Sequence, residues 1–462
     1  MTQSALPTQL VWFRDDLRTN DHPALDAALS SGPVIAVYVL DQESAGIRPL
    51  GGAAKWWLHQ ALEDLRRSLG QLGIPLILRQ GPAAEIISEL VHEGNVQTVH
   101  WNRRYGHAER AVDMQIKQEL QARGVHARSY SGMLLHEPWE LLTKNNTGYK
   151  VFTPFYNALR DSKTRPPLPA PRAQDAIAKA SVPSGEDLDH LGLLPDIEWT
   201  AGLAARWEPG EAPARQRLGE VLESIAEGYA EHHDRPDLDG TSALSPALRW
   251  GHLGAREMWD ALGRLAAEHP EAAAGATALR RQLAWRDFCW HLYYHHPQLP
   301  ERNLRAEFDH FDWAWPEQDP HAAGQVRLWQ KGRTGFGLVD AGMQQLWQTG
   351  WMHNRVRMVA ASLLVKNLQV HWKVGERWFW DTLVDADLAS NSANWQWVAG
   401  SGADAAPYFR VFNPELQAKK FDPQGSYAAR FAPLAAEPIV DLKQSRRAAL
   451  DAYEQMKLSA GS

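Results

Sequence analysis

The sequence predicts an α/β domain with a doubly wound parallel sheet, followed by a large all-α domain. Three observations support this fold class. Short apolar runs alternate with helical patterns up to about residue 130, a proline-rich stretch follows, and nearly every later segment has a helical period. Alternating strands and helices are typical of a parallel sheet with helices on both faces. We therefore expect an α/β domain at 1–135, a linker at 136–212 and a helical domain at 213–462.

Five runs rich in β-branched residues predict the strands: LVWF (10–13), PVIAVYVL (33–40), IPLILR (74–79), VQTVHW (96–101) and HARSY (126–130). Helical patterns lie between them, as in Lys55–Leu69 and Ala108–Ala122. Such sheets bind ligands at the carboxyl ends of their strands. The first strand is not followed by a GxGxxG fingerprint, so a standard dinucleotide site is not expected there.

The predicted linker differs in composition from its neighbours. RPPLPAPRAQ (165–174) and SVPSGED (181–187) are rich in proline and lack an apolar period. Such stretches are typical of connections that cross a protein surface. From about Pro213 onward, helical patterns separated by turn residues continue without a convincing strand.

Composition limits the kind of protein and its compartment. A single cysteine, Cys289, excludes intrachain disulfides and a four-cysteine iron–sulfur cluster. No apolar run approaches the length of a membrane span, and the N-terminus MTQSALPTQ lacks the features of a signal peptide. We expect a cytoplasmic protein with no membrane contact and no metal site. The net charge of −7 argues weakly against nucleic acid, although a local patch decides binding.

Residues 350–413 combine amides, charges and tryptophans at helical spacing. Asn354, Arg357 and Met358 fall at i, i+3 and i+4 and share one helix face. Asp387, Asn391 and Trp395 share another in the same way. Burying such faces is costly unless a polar aromatic group lies between them, and a flavin is such a group. The chain has 21 tryptophans, and a row of indoles can pass an electron, but a scattered row is more often plain core packing unless a redox cofactor is present.

Three other clusters have both a functional and an ordinary interpretation. GTSALSP (240–246) offers hydroxyls and backbone N–H groups that could bind a phosphate. The ordinary interpretation is a helix N-cap. Trp285 and Arg286 follow Gln282 by about one turn. They could stack on a base and bind a phosphate, or they could be a core tryptophan beside a solvated arginine. Arg357 and Asp385 would form a buried ion pair, which marks either a polar site or a structural contact.

These segments, in this order, resemble the photolyase/cryptochrome family. The likeness runs from VWFRDDLR (11–18) through YKVFTPF (149–155) to FNPELQAKKFD (412–422) and is most specific in 350–413. Within the family, the chain is most similar to the bacterial class I cyclobutane pyrimidine dimer photolyases. The resemblance implies light-driven repair of UV-damaged DNA, single- or double-stranded, by electron transfer from excited reduced FAD to a flipped-out dimer.

The resemblance also implies where FAD would bind in the helical domain. The phosphates and ribityl chain would be surrounded by Tyr229, Thr241, Ser242, Leu244 and Ser245. The flavin and adenine would be lined by Asn354, Arg357, Asp385 and Asp387. Asn391 would face flavin N5, where plant cryptochromes carry Asp, and Asn favours the fully reduced flavin of photolyases.

The remaining residues implied by the resemblance would transfer electrons to the flavin or bind the damaged DNA. Trp395, Trp372 and Trp313 would form an electron-transfer chain from the flavin to the surface, with Trp315 as the alternative last member. Trp285 and Trp397 would form apolar walls for the dimer, and Asn354 and Met358 would touch it. Phosphates would be met by Arg286, Arg355 and Arg410.

Some features depart from the family pattern. Gln282 stands where the dimer photolyases usually have Glu, which predicts weaker repair or a shifted substrate. A second, antenna chromophore is expected, either a folate or a deazaflavin; WNRRYGHAERAVD (101–113) retains Glu109 but has Ala108 where Asn is usual. The alternative function is a cryptochrome-like blue-light receptor that binds FAD and signals without efficient repair. A monomer is expected, because the DNA face must stay open.

Overall fold

The computed structural model describes residues 7–173, 182–195, 197–405, 409–432 and 436–460. By their internal contacts, two compact units form. The first comprises Met1–Leu141, Leu159–Glu223 and Ser242–His269, and the second comprises Leu142–Ala158, Ser224–Thr241 and Pro270–Ser462. The predicted boundaries after residues 135 and 212 stay a prediction. Residues 174–181 and 196 of the predicted linker lie outside the described residues, as do 406–408 of the 350–413 motif.

A five-stranded parallel sheet forms the centre of the first unit. Its order is β3-β2-β1-β4-β5, and every neighbouring pair is parallel. The strands are β1 (Thr8–Phe13), β2 (Val34–Leu40), β3 (Leu76–Gln80), β4 (Val96–Asn102) and β5 (His126–Tyr130). All five predicted strands are confirmed. Because β1 lies between β2 and β4, the chain reverses its direction of winding beside the carboxyl end of β1, where doubly wound sheets bind ligands.

Helices cover the sheet because their apolar stripes need a partner. The helices of the first unit are α1 (Pro23–Leu29), α2 (Gly52–Gln71), α3 (Ala83–Glu93), α4 (His107–Ala122), α6 (Ala201–Arg206), α7 (Glu211–Glu220), α9 (Ser245–Arg249) and α10 (Ala255–Glu268). Helix α5 (Phe152–Asp161) contains residues of both units. The predicted helices at 55–69 and 108–122 are confirmed as α2 and α4. Ile87, Leu90 and Ile116 pack with strand residues in one buried cluster.

The second unit is helical, as predicted. Its helices are α8 (Tyr229–His232), α11 (Ala273–His295), α12 (Pro320–Gln330), α13 (Gly337–Thr349), α14 (Asn354–Ser362), α15 (Trp372–Thr382), α16 (Leu388–Ala399), α17 (Pro414–Phe421), α18 (Ser426–Phe431) and α19 (Leu442–Ala460). A π-helical turn, Leu363–Asn367, continues α14. In the described part of this unit, the β pairing is an isolated bridge between Ala314 and Val370.

The core of the second unit surrounds α14. Val356, Leu364 and Trp372 are fully buried in one apolar cluster with Trp329. Helix α16 packs against both α11 and α15. Within the described residues, no helix is both long and apolar enough to cross a membrane.

Candidate functional site

The start of α14 holds the predicted arginine and its carboxylate partner. Arg357 Nε donates to the Met352 carbonyl oxygen at 2.7 Å, and Nη2 donates to Asp385 Oδ2 at 2.9 Å. The predicted ion pair therefore forms. The Asp385 side chain is only 3% exposed, and its Oδ1 is buried without a hydrogen-bond partner. A buried, unsatisfied carboxylate oxygen is costly, so it suits a ligand that brings an N–H or O–H donor.

Helix α16 begins with a second polar group. Asp387 is its N-cap and accepts a hydrogen bond from Ser390 N at 2.6 Å. One turn later, Asn391 Nδ2 donates to the Glu376 carbonyl oxygen at 3.0 Å and to Glu376 Oε1 at 2.8 Å. The amide nitrogen is thus committed to Glu376, and Oδ1 is the atom that Asn391 presents elsewhere. Both residues are buried, as the shared face predicted.

Glu376 is a buried residue beside the candidate site that the sequence patterns did not single out. It lies on α15 four residues after Trp372, on the face that also carries Phe379. A glutamate on an otherwise apolar helix face was the available signal, because such a residue is rarely buried without a partner. It fixes which way the Asn391 amide points.

His353 is a second missed residue. Its Nδ1 accepts a hydrogen bond from Arg355 N at 3.2 Å and caps α14. Its Nε2 is buried without a partner. Burial lowers the pKa of His353 to about 4, so the imidazole is neutral at neutral pH and presents one free ring nitrogen.

Trp395 lies against α15 at a glycine. A Cβ on Gly375 would stand 2.1 Å from Trp395 Cη2, far inside any contact distance. The indole also makes edge contacts with Phe379, at 4.9 Å between ring centroids, and with Trp329, at 6.2 Å. Trp395 is 3% exposed. Its orientation is therefore set by packing on three sides.

The other members of the predicted electron chain meet around His371. The His371 ring lies 5.5 Å from Trp372, 5.6 Å from Trp313 and 4.2 Å from Trp315, the last in a stacked arrangement. Trp313 is buried and donates its Nε1 hydrogen to the Phe308 carbonyl oxygen at 3.2 Å. Trp315 is more exposed than Trp313. Both candidates for the last position therefore contact the same histidine.

The predicted walls of the lesion site have apolar support. Trp285 stacks face to face on Phe152, with 3.7 Å between ring centroids and an interplanar angle of 6°. Phe152 was missed as a site residue, although it lies in the quoted motif YKVFTPF. Gln282 is exposed one turn before Trp285. Trp397 is half-buried and lies 6.5 Å from Phe412 between ring centroids.

The predicted phosphate-binding arginines differ in their surroundings. Arg410 is exposed. Arg286 donates to Asp287 Oδ1 at 3.0 Å. Arg355 donates to Asp234 and lies over the Phe421 ring, with 4.5 Å from Cζ to the ring centroid.

The hydroxyl-rich turn predicted to hold a cofactor phosphate contains the point in the sequence, between Thr241 and Ser242, where the second unit ends and the first resumes. Thr241 falls in the second unit with Tyr229, whose ring stacks on His233 at 5.0 Å. Ser242, Leu244 and Ser245 fall in the first unit. There, Leu244 precedes α9 as its N-cap, and its backbone N–H donates to Ser242 Oγ at 3.4 Å, so a hydroxyl of this turn does bond the backbone at the start of the helix.

A charged cluster lies at the carboxyl ends of β1 and β4 in the first unit. Arg249 donates to Asp15 at 2.8 Å, and Arg104 lies 3.9 Å from the same carboxylate. Glu109 Oε2 and Arg104 Nε are buried without hydrogen-bond partners. These orphan atoms stand at the place where the fold class predicts a ligand. In the described residues, no group of three or more His, Cys, Asp or Glu is arranged to hold a metal.

Comparisons with known proteins agree with this geometry. The model of the DNA photolyase family matches residues 9–172, and that of the FAD binding domain of DNA photolyase matches residues 279–437. A deoxyribodipyrimidine photo-lyase of Agrobacterium fabrum is 46% identical over 426 residues, which cover 92% of this chain and 86% of the relative.

Solved structures extend the likeness to the whole fold. A bacterial class III photolyase from Agrobacterium tumefaciens is 42% identical, with a TM-score of 0.92 and 99% of each chain covered. A cryptochrome of Synechocystis sp. PCC6803 is 28% identical, with a TM-score of 0.86 and coverage of 98% of this chain and 100% of the other. The expected nearness to class I is therefore revised toward class III. With relatives of this identity along nearly its full length, the chain belongs to the photolyase/cryptochrome family.

Proposed function

We propose that the protein is a deoxyribodipyrimidine photo-lyase that repairs cyclobutane pyrimidine dimers in DNA under light. One observation carries the proposal. Within one unit, α14, α15 and α16 and the segment before α16 carry an arginine paired with a buried aspartate, an oriented asparagine and a packed tryptophan, in a chain whose relatives bear that enzyme name. The unsatisfied Asp385 Oδ1 supports a bound polar ligand at this place.

The residues present fit FAD. When bound in its reduced form, FAD supplies the light-driven electron that splits the dimer. Residues proposed to hold it are Tyr229, Thr241, Ser242, Leu244, Ser245, Asn354, Arg357, Asp385, Asp387 and Asn391. Asp385 Oδ1 would accept a hydrogen bond from a ring N–H of the cofactor, which would satisfy this buried oxygen.

Asn391 would influence the protonation of bound FAD through one atom. Because Glu376 takes both hydrogen bonds from Nδ2, Oδ1 is the atom that Asn391 would offer to flavin N5 as an acceptor. An acceptor at this position holds a proton on N5, which favours the reduced form that repair requires. Glu376 acts as the positioning residue for this contact.

The lesion site uses apolar walls and few polar groups. Trp285 and Trp397 form the walls, and Phe152 fixes the plane of Trp285 by stacking on it. Extrusion of the damaged base from the duplex is an established property of photolyases. Gln282, Asn354 and Met358 contact the extruded dimer. Arg286, Arg355 and Arg410 contact DNA phosphates in this proposal. Arg410 is exposed, whereas Arg286 and Arg355 are each hydrogen-bonded to a carboxylate in the free protein.

Further parts of the proposal concern the electron chain and the second chromophore. Trp395, Trp372 and Trp313 form the row that restores the reduced cofactor, and the aromatic contacts around His371 support its outer half. A folate or deazaflavin antenna is proposed as the second chromophore, supported by the orphan polar atoms of Glu109 and Arg104 in the first unit. We also propose that the protein works as a monomer in the cytoplasm.

The test is repair of UV-irradiated oligo-thymidine by the reduced holoenzyme under blue light, with a dark control. We expect light-dependent recovery of thymine absorbance at catalytic enzyme concentration, and no recovery in the dark. Photoreduction of bound FAD without any repair would contradict the proposal. That outcome would favour the second candidate, a cryptochrome-like receptor. Two observations favour this candidate: the structural likeness to a cryptochrome, and Gln282 in the place where dimer photolyases usually have Glu.

A further inference from the structure

Arg355 is engaged within its own unit. Its Nη2 donates to Asp234 Oδ2 at 2.5 Å, and its guanidinium lies over the face of Phe421. Its Nε is buried without a hydrogen-bond partner. The guanidinium is therefore held at a fixed place, with one donor edge directed at a carboxylate.

The pair is partly exposed to solvent. The side chains of Arg355 and Asp234 are 18% and 30% exposed. Partly exposed ion pairs are weak, on the order of a two- to five-fold effect on an equilibrium. A stronger acceptor that reaches Arg355 can therefore displace Asp234 without unfolding the site.

The neighbouring cations do not replace Arg355 as the hydrogen-bond partner of Asp234. Arg235 is occupied by Asp237 at 2.5 Å. The ring of His233 lies 3.8 Å from the other oxygen of Asp234, beyond hydrogen-bond distance. Arg355 is thus the cation to which Asp234 is hydrogen-bonded, although the charge of Asp234 also acts on His353 and Tyr229.

A DNA phosphate and a carboxylate accept the same hydrogen bonds from a guanidinium. We propose that Asp234 is an affinity-setting residue: in the free protein it neutralises Arg355, and it competes with a DNA phosphate for that guanidinium. The inference rests on the proposed function, since it takes the phosphate backbone of damaged DNA as the ligand. As a consequence, the contact between Arg355 and a DNA phosphate adds less to the binding affinity of the wild-type protein than the same contact from an arginine without a carboxylate partner would add.

The test measures binding of holoenzyme variants to labelled, UV-irradiated oligo-thymidine by fluorescence anisotropy, in the dark, over a series of salt concentrations. Asp234→Asn should bind about five-fold more tightly at low salt. Its plot of log K against log salt should be steeper by about 0.7, the value of one added phosphate contact on a single strand. The slope is a readout that a merely structural effect of the substitution would not change in this direction.

Two controls isolate the pair. Asp239→Asn removes the same charge at an exposed position five residues later and should leave the slope unchanged. Arg355→Gln should remove the effect of Asp234→Asn in the double variant. A wild-type slope in Asp234→Asn, or an equal gain in affinity when Arg355 is already replaced, would overturn the inference.

Failure of this inference and failure of the proposed function give different results. A wild-type protein that binds irradiated and unirradiated strands equally would argue against the repair function. The slope of Asp234→Asn would still report on the competition for Arg355, because either strand supplies phosphates.

Discussion

At the residue scale, the site depends on which atoms of each side chain remain available. Asn391 illustrates this, because its amide nitrogen is used twice by Glu376 and only its oxygen is left for a ligand. Asp385 shows the complementary case, with one oxygen paired to Arg357 and the other buried and unpaired. The atoms that Asn391 and Asp385 can offer to a ligand are therefore set by their partners, Glu376 and Arg357.

Gln282 is the residue at which we expect the repair efficiency to be tuned. An amide accepts and donates hydrogen bonds, but it cannot carry the acidic proton of a carboxyl group. Because Gln282 is exposed, Gln282→Glu should leave folding unchanged and raise the repair rate, by about five-fold if the added hydrogen bond is worth about 1 kcal/mol.

The measurement is the rate of dimer repair under saturating light, with Gln282→Ala as the comparison. The alanine variant should be slower than wild type because it removes the contact altogether. Equal rates for all three proteins would show that this position does not limit repair.

At the scale of elements, the approach of α15 to α16 places Trp395. Gly375 allows this approach because any side chain there would overlap the indole. At a helix position with free space around it, glycine instead lowers stability, since alanine has the higher helix propensity. The same substitution should therefore have opposite effects at two glycines of the second unit.

Gly375→Ala should lower the free energy of unfolding by about 1–3 kcal/mol, the usual cost of overpacking a core. Gly324→Ala is the matched control, because a Cβ at this position in α12 meets nothing within 4 Å. It should stabilise the protein by about 0.5–1 kcal/mol. Urea unfolding of both variants tests the prediction, and equal effects would contradict the proposed packing.

At the scale of the whole molecule, buried histidines couple stability to pH. Burial lowers the pKa of His291 and His371 to about 3 and that of His353 to about 4. The unfolded chain, with a histidine pKa of about 6.5, binds more protons than the folded one below that pH. Stability is therefore full above about pH 6.5 and is lost as the pH falls.

Each of these histidines should cost about 2 kcal/mol of stability between pH 7 and pH 5. Urea unfolding at the two pH values measures the loss. In His371→Asn, the loss should be smaller by the contribution of one histidine. A free energy of unfolding that does not change between these pH values would contradict the burial of neutral imidazoles.

Most of the fold followed from local patterns. The five strands and the helices α2 and α4 were predicted within a few residues, because alternation of apolar runs and helical stripes depends on neighbours in the chain. The shared faces of Asn354 with Arg357 and of Asp387 with Asn391 followed from helix geometry in the same way. The family, its cofactor and its reaction were likewise evident from motifs in order along the chain.

The sequence by itself therefore determined the α/β-plus-helical architecture, the family and the set of candidate site residues. Only the tertiary structure decided how those residues are used. Glu376 orients Asn391, Phe152 supports Trp285, and Asp234 occupies Arg355, and each partner is distant in the chain from the residue it controls. Local periodicity carries no information on such pairs, because hydrogen bonds and ring stacks between elements depend on how the elements pack.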